Sequence, residues 1–227
     1  MATAATLDLE RTLHRQGYRF IAGLDEAGRG AWAGPVVAAA VILPPEHPDL
    51  DTLLDGVCDS KQLTPSTRMQ LAQRIWDIAL AVGVGFGAPA LIDREGIVPA
   101  TRHAMMQALR RLHVTPEALV LDYVRLPQMP LPQYAMPRAD ALHLCVAAAS
   151  IIAKVTRDCL MVLLAQRYPG YGFAVHKGYG TPDHRRALIQ KGITPIHRRS
   201  FTPVRALAKQ SPANAQLDEF DNREDTC

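Results

Sequence analysis

The sequence lacks any stretch able to cross a membrane. Apolar runs such as residues 35–45 are about half the ~20 residues a spanning helix needs. It also lacks a signal-peptide pattern. Residues 1–13 have no basic start and carry Asp8 and Glu10 where an apolar segment would lie. They read instead as a short amphipathic helix stopped by Gly17. Cysteine is sparse: Cys58, Cys145, Cys159 and Cys227 include no C-x-x-C pair, and Cys145 and Cys159 fall in an apolar helical stretch. This argues against a disulfide scaffold or a zinc site, and the thiols are expected to be free and buried in a reducing cytoplasm. The eight histidines have no zinc-site spacing either. No repeat or low-complexity block is present. What remains is a globular pattern of 227 residues, nearly half apolar and about a fifth charged, enough for one domain with a core.

The net charge of +3 hides an asymmetry. Residues 211–227 hold five acids and one base, a net of −4, which leaves +7 for the rest. Residues 157–205 hold nine Lys/Arg against Asp158 and Asp183, again +7, with three histidines added. Such a region suits a polyanion such as nucleic acid, although taken alone a solvated basic surface is the better explanation. The chain is therefore divided into residues 1–209, one domain whose part from about residue 157 is basic and helical, and an acidic tail, 210–227, expected to be disordered.

Residues 18–24 read as a strand running into a glycine-rich turn, and 35–43 as a nearly all-apolar second strand covered on both faces. With no helix between them, the two are expected to pair antiparallel. Residues 44–63 look like loop. Residues 65–80 look helical with Pro65 in the first turn, 82–87 form a strand, and 97–112 a helix. Residues 118–124 form a buried strand ending in Asp122-Tyr123, 126–137 with four prolines are expected to be irregular, and 142–166 form one long helix. Another helix, 181–191, is closed by Gly192. Strands first and helices later describe an α/β domain on a mixed sheet.

Four acids occupy positions that are hard to explain structurally. Asp25 and Glu26 follow the apolar strand Phe20-Ile21-Ala22-Gly23-Leu24, Asp122 follows Leu119-Val120-Leu121, and Asp140 precedes the long helix. Taken singly, each has an ordinary use: a turn cap for Asp25 or Glu26, a strand end for Asp122, a helix N-cap for Asp140. Together they form a partly desolvated, self-repelling set that a divalent cation would relieve. Hard oxygen donors suit Mg²⁺ or Mn²⁺, two of which support phosphodiester cleavage. Beside the first pair, Gly28-Arg29-Gly30 allows close backbone approach to phosphate or hydroxyl oxygens, and Arg29 adds charge.

The run Gly23-Leu24-Asp25-Glu26-Ala27-Gly28-Arg29-Gly30, with Gly34-Pro35-Val36-Val37 after it, resembles the opening of ribonuclease HII. Asp59-Ser60-Lys61-Gln62-Leu63, the stretch 147–158, His176-Lys177-Gly178-Tyr179-Gly180-Thr181 and His197-Arg198-Arg199-Ser200-Phe201 follow in that family's order, and the likeness covers residues 18–207. The resemblance implies a ribonuclease H-like fold: a mixed five-stranded sheet flanked by helices, with a helical C-terminal portion. It implies an endonuclease that cuts the RNA strand of RNA–DNA hybrids, on the 5′ side of ribonucleotides and even of one embedded in duplex DNA, leaving 3′-hydroxyl and 5′-phosphate ends. Two divalent ions, Mn²⁺ or Mg²⁺, would sit on Asp25, Glu26, Asp122 and Asp140. Gly28, Arg29, Gly30 and Tyr179 would read the 2′-hydroxyl, while Ser60 and Lys61 hold phosphates. Partners would be hybrid or ribonucleotide-containing duplexes, met by a monomer in the cytoplasm, with no membrane involved.

Two positions depart from the family pattern. Arg138 stands where lysine is usual before Asp140, and Tyr123 where bacterial relatives usually have glycine. For Lys154 and Asp158, an i,i+4 ion pair and a substrate role are equally compatible. A ribonuclease HIII-like enzyme is the nearest alternative. About twenty residues before the first strand, and aspartate as the fourth acid, speak against it. A non-catalytic nucleic-acid-binding module would not need four acids, and a metal-dependent phosphatase would not need the basic C-terminal half.

Overall fold

The computed structural model describes residues 5–210, so the tail from residue 211 lies outside the described residues, as does Cys227. Five strands form one sheet in the order β3-β2-β1-β4-β5. They are β1 (Ile21–Ala27), β2 (Val36–Ile42), β3 (Ala81–Gly87), β4 (Ala118–Asp122) and β5 (Gln133–Met136). β1 pairs antiparallel with β2, and β2 antiparallel with β3. β4 lies parallel to both β1 and β5. The sheet is thus mixed, as the short β1–β2 connection requires.

Both faces are covered. α7 (Leu144–Arg167) crosses one face over β1 and β2, with α1 (Asp8–Arg15) and α3 (Pro65–Ile78) completing that core. α5 (Ile97–Arg110) and α4 (Pro89–Glu95) cover the other face. All seven residues of β2 are buried, which is why it is apolar without alternation. β3 meets α5 through glycine. A Cβ on Gly83 or Gly85 would sit within 2.1 Å of the Ala108 or Ala104 carbonyl oxygen, so the helix backbone rests directly on the strand. α3 begins as its sequence indicates: Thr64 accepts the Thr67 N–H at 3.2 Å and Pro65 takes the first turn.

Three local expectations are corrected. Residues 133–136 form the edge strand β5 instead of irregular chain. Only four residues pair, between Pro132 and Pro137, and an edge strand tolerates flanking prolines. The segment 44–63 contains the one-turn helix α2 (Leu50–Leu53) and a 3₁₀ turn, Ser60–Gln62. The long helix starts at Leu144, preceded by the separate turn α6 (Ala139–Leu142). His143 is pulled into extended backbone by a bridge to Thr6, whose N–H donates to Leu142 O and whose carbonyl accepts from Leu144 N–H. Buried Glu10 then accepts the Cys145 N–H at 2.9 Å, satisfying a donor in the first turn of α7. The thiols are a fourth correction: Cys145 is buried, but Cys159 is exposed on α7.

The basic C-terminal stretch forms α8 (Phe173–His176), α9 (Pro182–Lys191) and α10 (Thr202–Ala208), with a small core of Met161, Tyr171, Phe173 and Ala187. Among the described residues no helix is long and apolar enough to cross a membrane.

Candidate active site

Strand register brings the first acids together. β1 and β4 run parallel with Leu24 beside Leu121, which places the next residues, Asp25 and Asp122, side by side. Asp122 ends β4, but Asp25 and Glu26 lie within β1, opposite Ala39 and Ala38 of β2, and do not follow the strand or cap its turn as expected, because pairing with β2 carries β1 on to Ala27. The side-chain alternation of a strand puts both on the face that packs α7, where Ile21, Ala118 and Val120 are buried. α7 approaches closely because β1 has Gly23 there; a Cβ would lie 2.3 Å from the Cys145 carbonyl carbon.

Asp25 is 4% exposed, and its Oδ1 accepts the Glu26 N–H at 2.7 Å. Burial, reinforced by Glu26 and Asp140, pushes its pKa well above the usual carboxylate range, against the pull of the Ser150 hydroxyl. Glu26 is raised by burial too, although Arg29 donates to its Oε1 at 3.1 Å; Asp122 adds to the rise. Its Oε2 is buried with no hydrogen-bond partner among the described residues. Asp122 accepts the Ala139 N–H at 3.1 Å, which ties β4 to α6. Asp140, on α6, is raised by burial and by Asp59 and Asp122, with Lys61 opposing at 3.4 Å. Asp122 and Asp140 border a cleft of about 600 Å³ together with Asp59, Lys61 and Arg138, while Asp25 and Glu26 lie behind its walls.

The donor set is therefore four hard oxygen groups, with Asp25, Glu26 and Asp140 raised in pKa by burial and by neighbouring carboxylates, and with one buried oxygen, Glu26 Oε2, unpartnered among the described residues. That chemistry fits divalent cations. Among the described residues no three such side chains converge on a single point as they stand.

The rest of the expected site is distributed around this cleft. Lys61 is exposed, and although burial of its stem lowers its pKa, Asp59, Asp140 and Asp25 outweigh this and raise it. Ser60 is buried, its hydroxyl 2.9 Å from that of Ser150, so it backs Asp25 through Ser150 and does not face the cleft. Gly28 adopts φ +90°, and a Cβ there would lie 1.9 Å from Arg157 Nε. Gly30 has open space beside it. Tyr179 is partly exposed, with Lys154 Nζ 5.8 Å and Arg157 Cζ 5.4 Å from its ring centroid. The two loops are strapped together: Trp32 N–H donates to Gly178 O at 2.8 Å. Lys154 pairs with Asp158 at 2.7 Å, and Arg68 joins the same carboxylate at 3.2 Å.

Composition could not reveal the supports of this second half. Arg198 donates to Gly28 O and Arg29 O at 2.7 Å and to Gly34 O at 3.0 Å. Arg157 donates to Pro35 O at 3.0 Å and Ala33 O at 3.1 Å. Both are fully buried, so two of the nine cations in the basic stretch lie inside the molecule. Burial, followed by the neighbouring Arg157, lowers Arg198 to about 9. Among the described residues three non-glycine positions have left-handed backbone, and each adjoins the site: Tyr123 after Asp122, Arg138 before Asp140, and Lys177 before Gly178-Tyr179. Strain of this kind concentrates at functional loops. Tyr123 is 70% exposed at φ +60°, a conformation natural to glycine.

Paired carboxylates side by side on neighbouring parallel strands, a mixed 3-2-1-4-5 sheet and a positively charged helical layer define a metal-dependent nuclease of the ribonuclease H-like class. The family model for ribonuclease HII matches residues 22–204. A ribonuclease HII of Chloroflexus aurantiacus is 56% identical over 198 residues, covering 87% of this chain and 93% of its own. The crystal structure of the ribonuclease H2 from Pyrococcus horikoshii superposes with TM-score 0.72 at 31% identity, over 84% of this chain and 98% of that one. A Bst ribonuclease HIII, solved in complex with Mn²⁺, shares the fold at TM-score 0.65 and 23% identity, over 87% of this chain and 72% of that one. The chain belongs to the ribonuclease HII family and is a metal-dependent endoribonuclease.

Proposed function

We propose that this enzyme cuts the RNA strand of RNA–DNA hybrids on the 5′ side of ribonucleotides, including a single ribonucleotide within duplex DNA, and leaves 3′-hydroxyl and 5′-phosphate ends. The observation that carries the reading is the adjacency of Asp25-Glu26 to the turn Gly28-Arg29-Gly30, two residues along the chain. A loop able to sense a 2′-hydroxyl thus stands next to the carboxylates. Asp25, Glu26, Asp122 and Asp140 would hold Mg²⁺ or Mn²⁺. When bound, such ions supply an activated water and neutralise charge at the departing oxygen.

The protein's own groups do the selecting. The 2′-hydroxyl distinguishes RNA from DNA, and backbone N–H groups of residues 28–30 with the Tyr179 hydroxyl are suited to bind it. Lys61 and Arg29 would neutralise phosphates on either side of the cut, a positioning role that carries no sequence preference. Ser60 contributes by holding Ser150 against Asp25. We read residues 1–209 as one catalytic unit that acts as a monomer in the cytoplasm on hybrid or ribonucleotide-containing duplexes.

The test is a labelled duplex with one internal ribonucleotide, incubated with Mn²⁺ or Mg²⁺ and resolved on a sequencing gel. Cleavage 5′ to the ribonucleotide is expected, and none on the matching all-DNA duplex. Cleavage on the 3′ side, or equal cutting of both duplexes, overturns the reading.

A further inference from the structure

Histidines the chemistry does not use lie beneath the loop that carries Tyr179. His184 and His197 are at most 1% exposed, and His176 stacks on His184 with ring centroids 4.6 Å apart. Their hydrogen bonds allow one proton arrangement. His197 Nδ1 accepts the Thr194 backbone N–H at 2.9 Å and has the Thr194 hydroxyl 2.8 Å away; because the backbone N–H can only donate, Nδ1 carries no proton and the hydroxyl is a second donor. Neutral His197 then has its proton on Nε2, which faces His184 Nε2 at 3.0 Å. That contact needs one donor and one acceptor, so His184 Nε2 is bare. The His184 proton therefore sits on Nδ1, 2.9 Å from the carbonyl oxygen of Tyr179. The chain of bonds runs in one direction, from Thr194 through both imidazoles to the backbone of Tyr179.

Surrounding contacts keep the arrangement in place. His176 is fixed likewise: Nδ1 accepts the Gly178 N–H at 3.2 Å and Nε2 donates to Tyr171 O at 2.7 Å. Phe173 sits edge-on to His184 at 5.4 Å. Protonating either member of the pair would set two N–H groups against each other. Burial holds His184 down to about 4 and His197 to about 3, so both stay neutral at ordinary pH. Each facing nitrogen is engaged by the other ring, which leaves no lone pair for a metal.

We propose that His197 and His184 are positioning residues: a neutral, directional relay that fixes the Tyr179 backbone and thereby aims the Tyr179 hydroxyl at the ribose. This rests on the reading of Tyr179 given above. A purely structural histidine pair would affect stability alone, whereas the relay couples to the Tyr179 hydroxyl.

Two measurements on the full chain decide it. Long-range ¹H–¹⁵N correlation spectra are expected to show bare Nδ1 and protonated Nε2 on His197, and the reverse on His184; any other tautomer pair, or fast averaging, overturns the relay. In kinetics on the single-ribonucleotide duplex, His184→Phe keeps the ring stack but loses the donor. It is expected to lower kcat about tenfold with KM changed less than about twofold, while His184→Asn, whose amide can replace Nδ1–H, returns to within about threefold. In a Tyr179→Phe background, His184→Phe is expected to have no further effect. If Tyr179→Phe alone leaves ribonucleotide cleavage unchanged, the reading of Tyr179 fails and the relay's role fails with it. If Tyr179→Phe slows cleavage but His184→Phe does not, or adds its full effect on top, the relay alone is refuted. Should His184→Phe fail to fold, the wild-type spectra still uphold or overturn the relay by the tautomers they show.

Discussion

The two halves of the site handle buried charge in opposite ways. Asp25, Glu26 and Asp140 are buried acids left short of compensation, so each has a raised pKa, and Glu26 Oε2 has no partner among the described residues. Arg157 and Arg198 are buried cations that donate to five backbone carbonyls of residues 28–35. The first half stores repulsion that a cation relieves. The second turns charge into rigidity, because a guanidinium fork fixes several carbonyls at once. A nuclease that must bind metal and also recognise a sugar has use for both.

The comparison can be broken most sharply at Asp25. Asp25→Asn should lower cleavage by at least roughly 100-fold, since even groups behind metal ligands are worth about 10–100-fold. The same change should raise the melting temperature of the metal-free protein, because it removes a charge whose burial opposes folding. A melting temperature that falls would show that the acids are already compensated.

Arg198→Met tests the other half. Three carbonyls lose their donor, and a cost of about 3 kcal/mol is expected from about 1 kcal/mol for each. This is a drop of roughly 6–12 °C in a chain of this size. Arg198→Lys should not restore it, since one ammonium cannot reproduce the fork. Thermal melts of the three proteins check this.

Acid should separate the halves by sign. His184 and His197 are held at about 4 and about 3, below the 6.5 of the unfolded chain. As pH falls through 6.5 the unfolded state takes protons first, so stability drains by up to about 1.4 kcal/mol per unit for each histidine. The loss levels off once pH passes the folded values. The raised acids act the other way: the folded state binds their protons first, which supports the fold on acidification. Denaturant titrations from pH 7 to 5 should therefore show a steeper loss in Asp25→Asn than in the parent. Equal slopes would remove Asp25 from this balance.

Two smaller tests probe the backbone. Gly28→Ala forces a side chain into φ +90° and against Arg157 Nε, at a cost of about 1–2 kcal/mol from the backbone alone. Cleavage should fall with it because the 28–30 turn must shift. Tyr123→Gly relieves a left-handed tyrosine, offset by the entropy of glycine, so stability should rise by no more than about 1 kcal/mol. A clear loss in calorimetry would mean that the exposed ring makes a stabilising contact.

Legibility differed between the same two halves. Asp25, Glu26 and Asp122 stand out because charged groups directly after apolar runs break a pattern, although β1 continues past the first two to Ala27, and Gly28 marks its turn by residue type. β5 was not legible: four half-buried residues among prolines look like loop until β4 supplies a partner. Nor was the break at His143, which comes from a pairing with Thr6, 137 positions away. Arg157 and Arg198 were legible as charge but not as interior charge, because a string of residues does not say which cations point inward. Ser60 sits in a recognisable motif, yet only packing shows its hydroxyl turned to Ser150.

The sequence by itself determined the first four strands and the helices α1, α3, α5, α7 and α9 between and after them, the antiparallel start, the glycine turn beside the acids and the family. These depend on local periodicity and on short contiguous motifs. Tertiary structure alone decided that Asp25 of β1 and Asp122 of β4 lie side by side on parallel strands, that Asp140 rides a separate turn, that two arginines hold the carbonyls of residues 28–35 from within, and that a histidine pair ends on the Tyr179 carbonyl. Those facts depend on burial and on contacts between distant residues, where desolvation and hydrogen-bond partners set the protonation and role of each group.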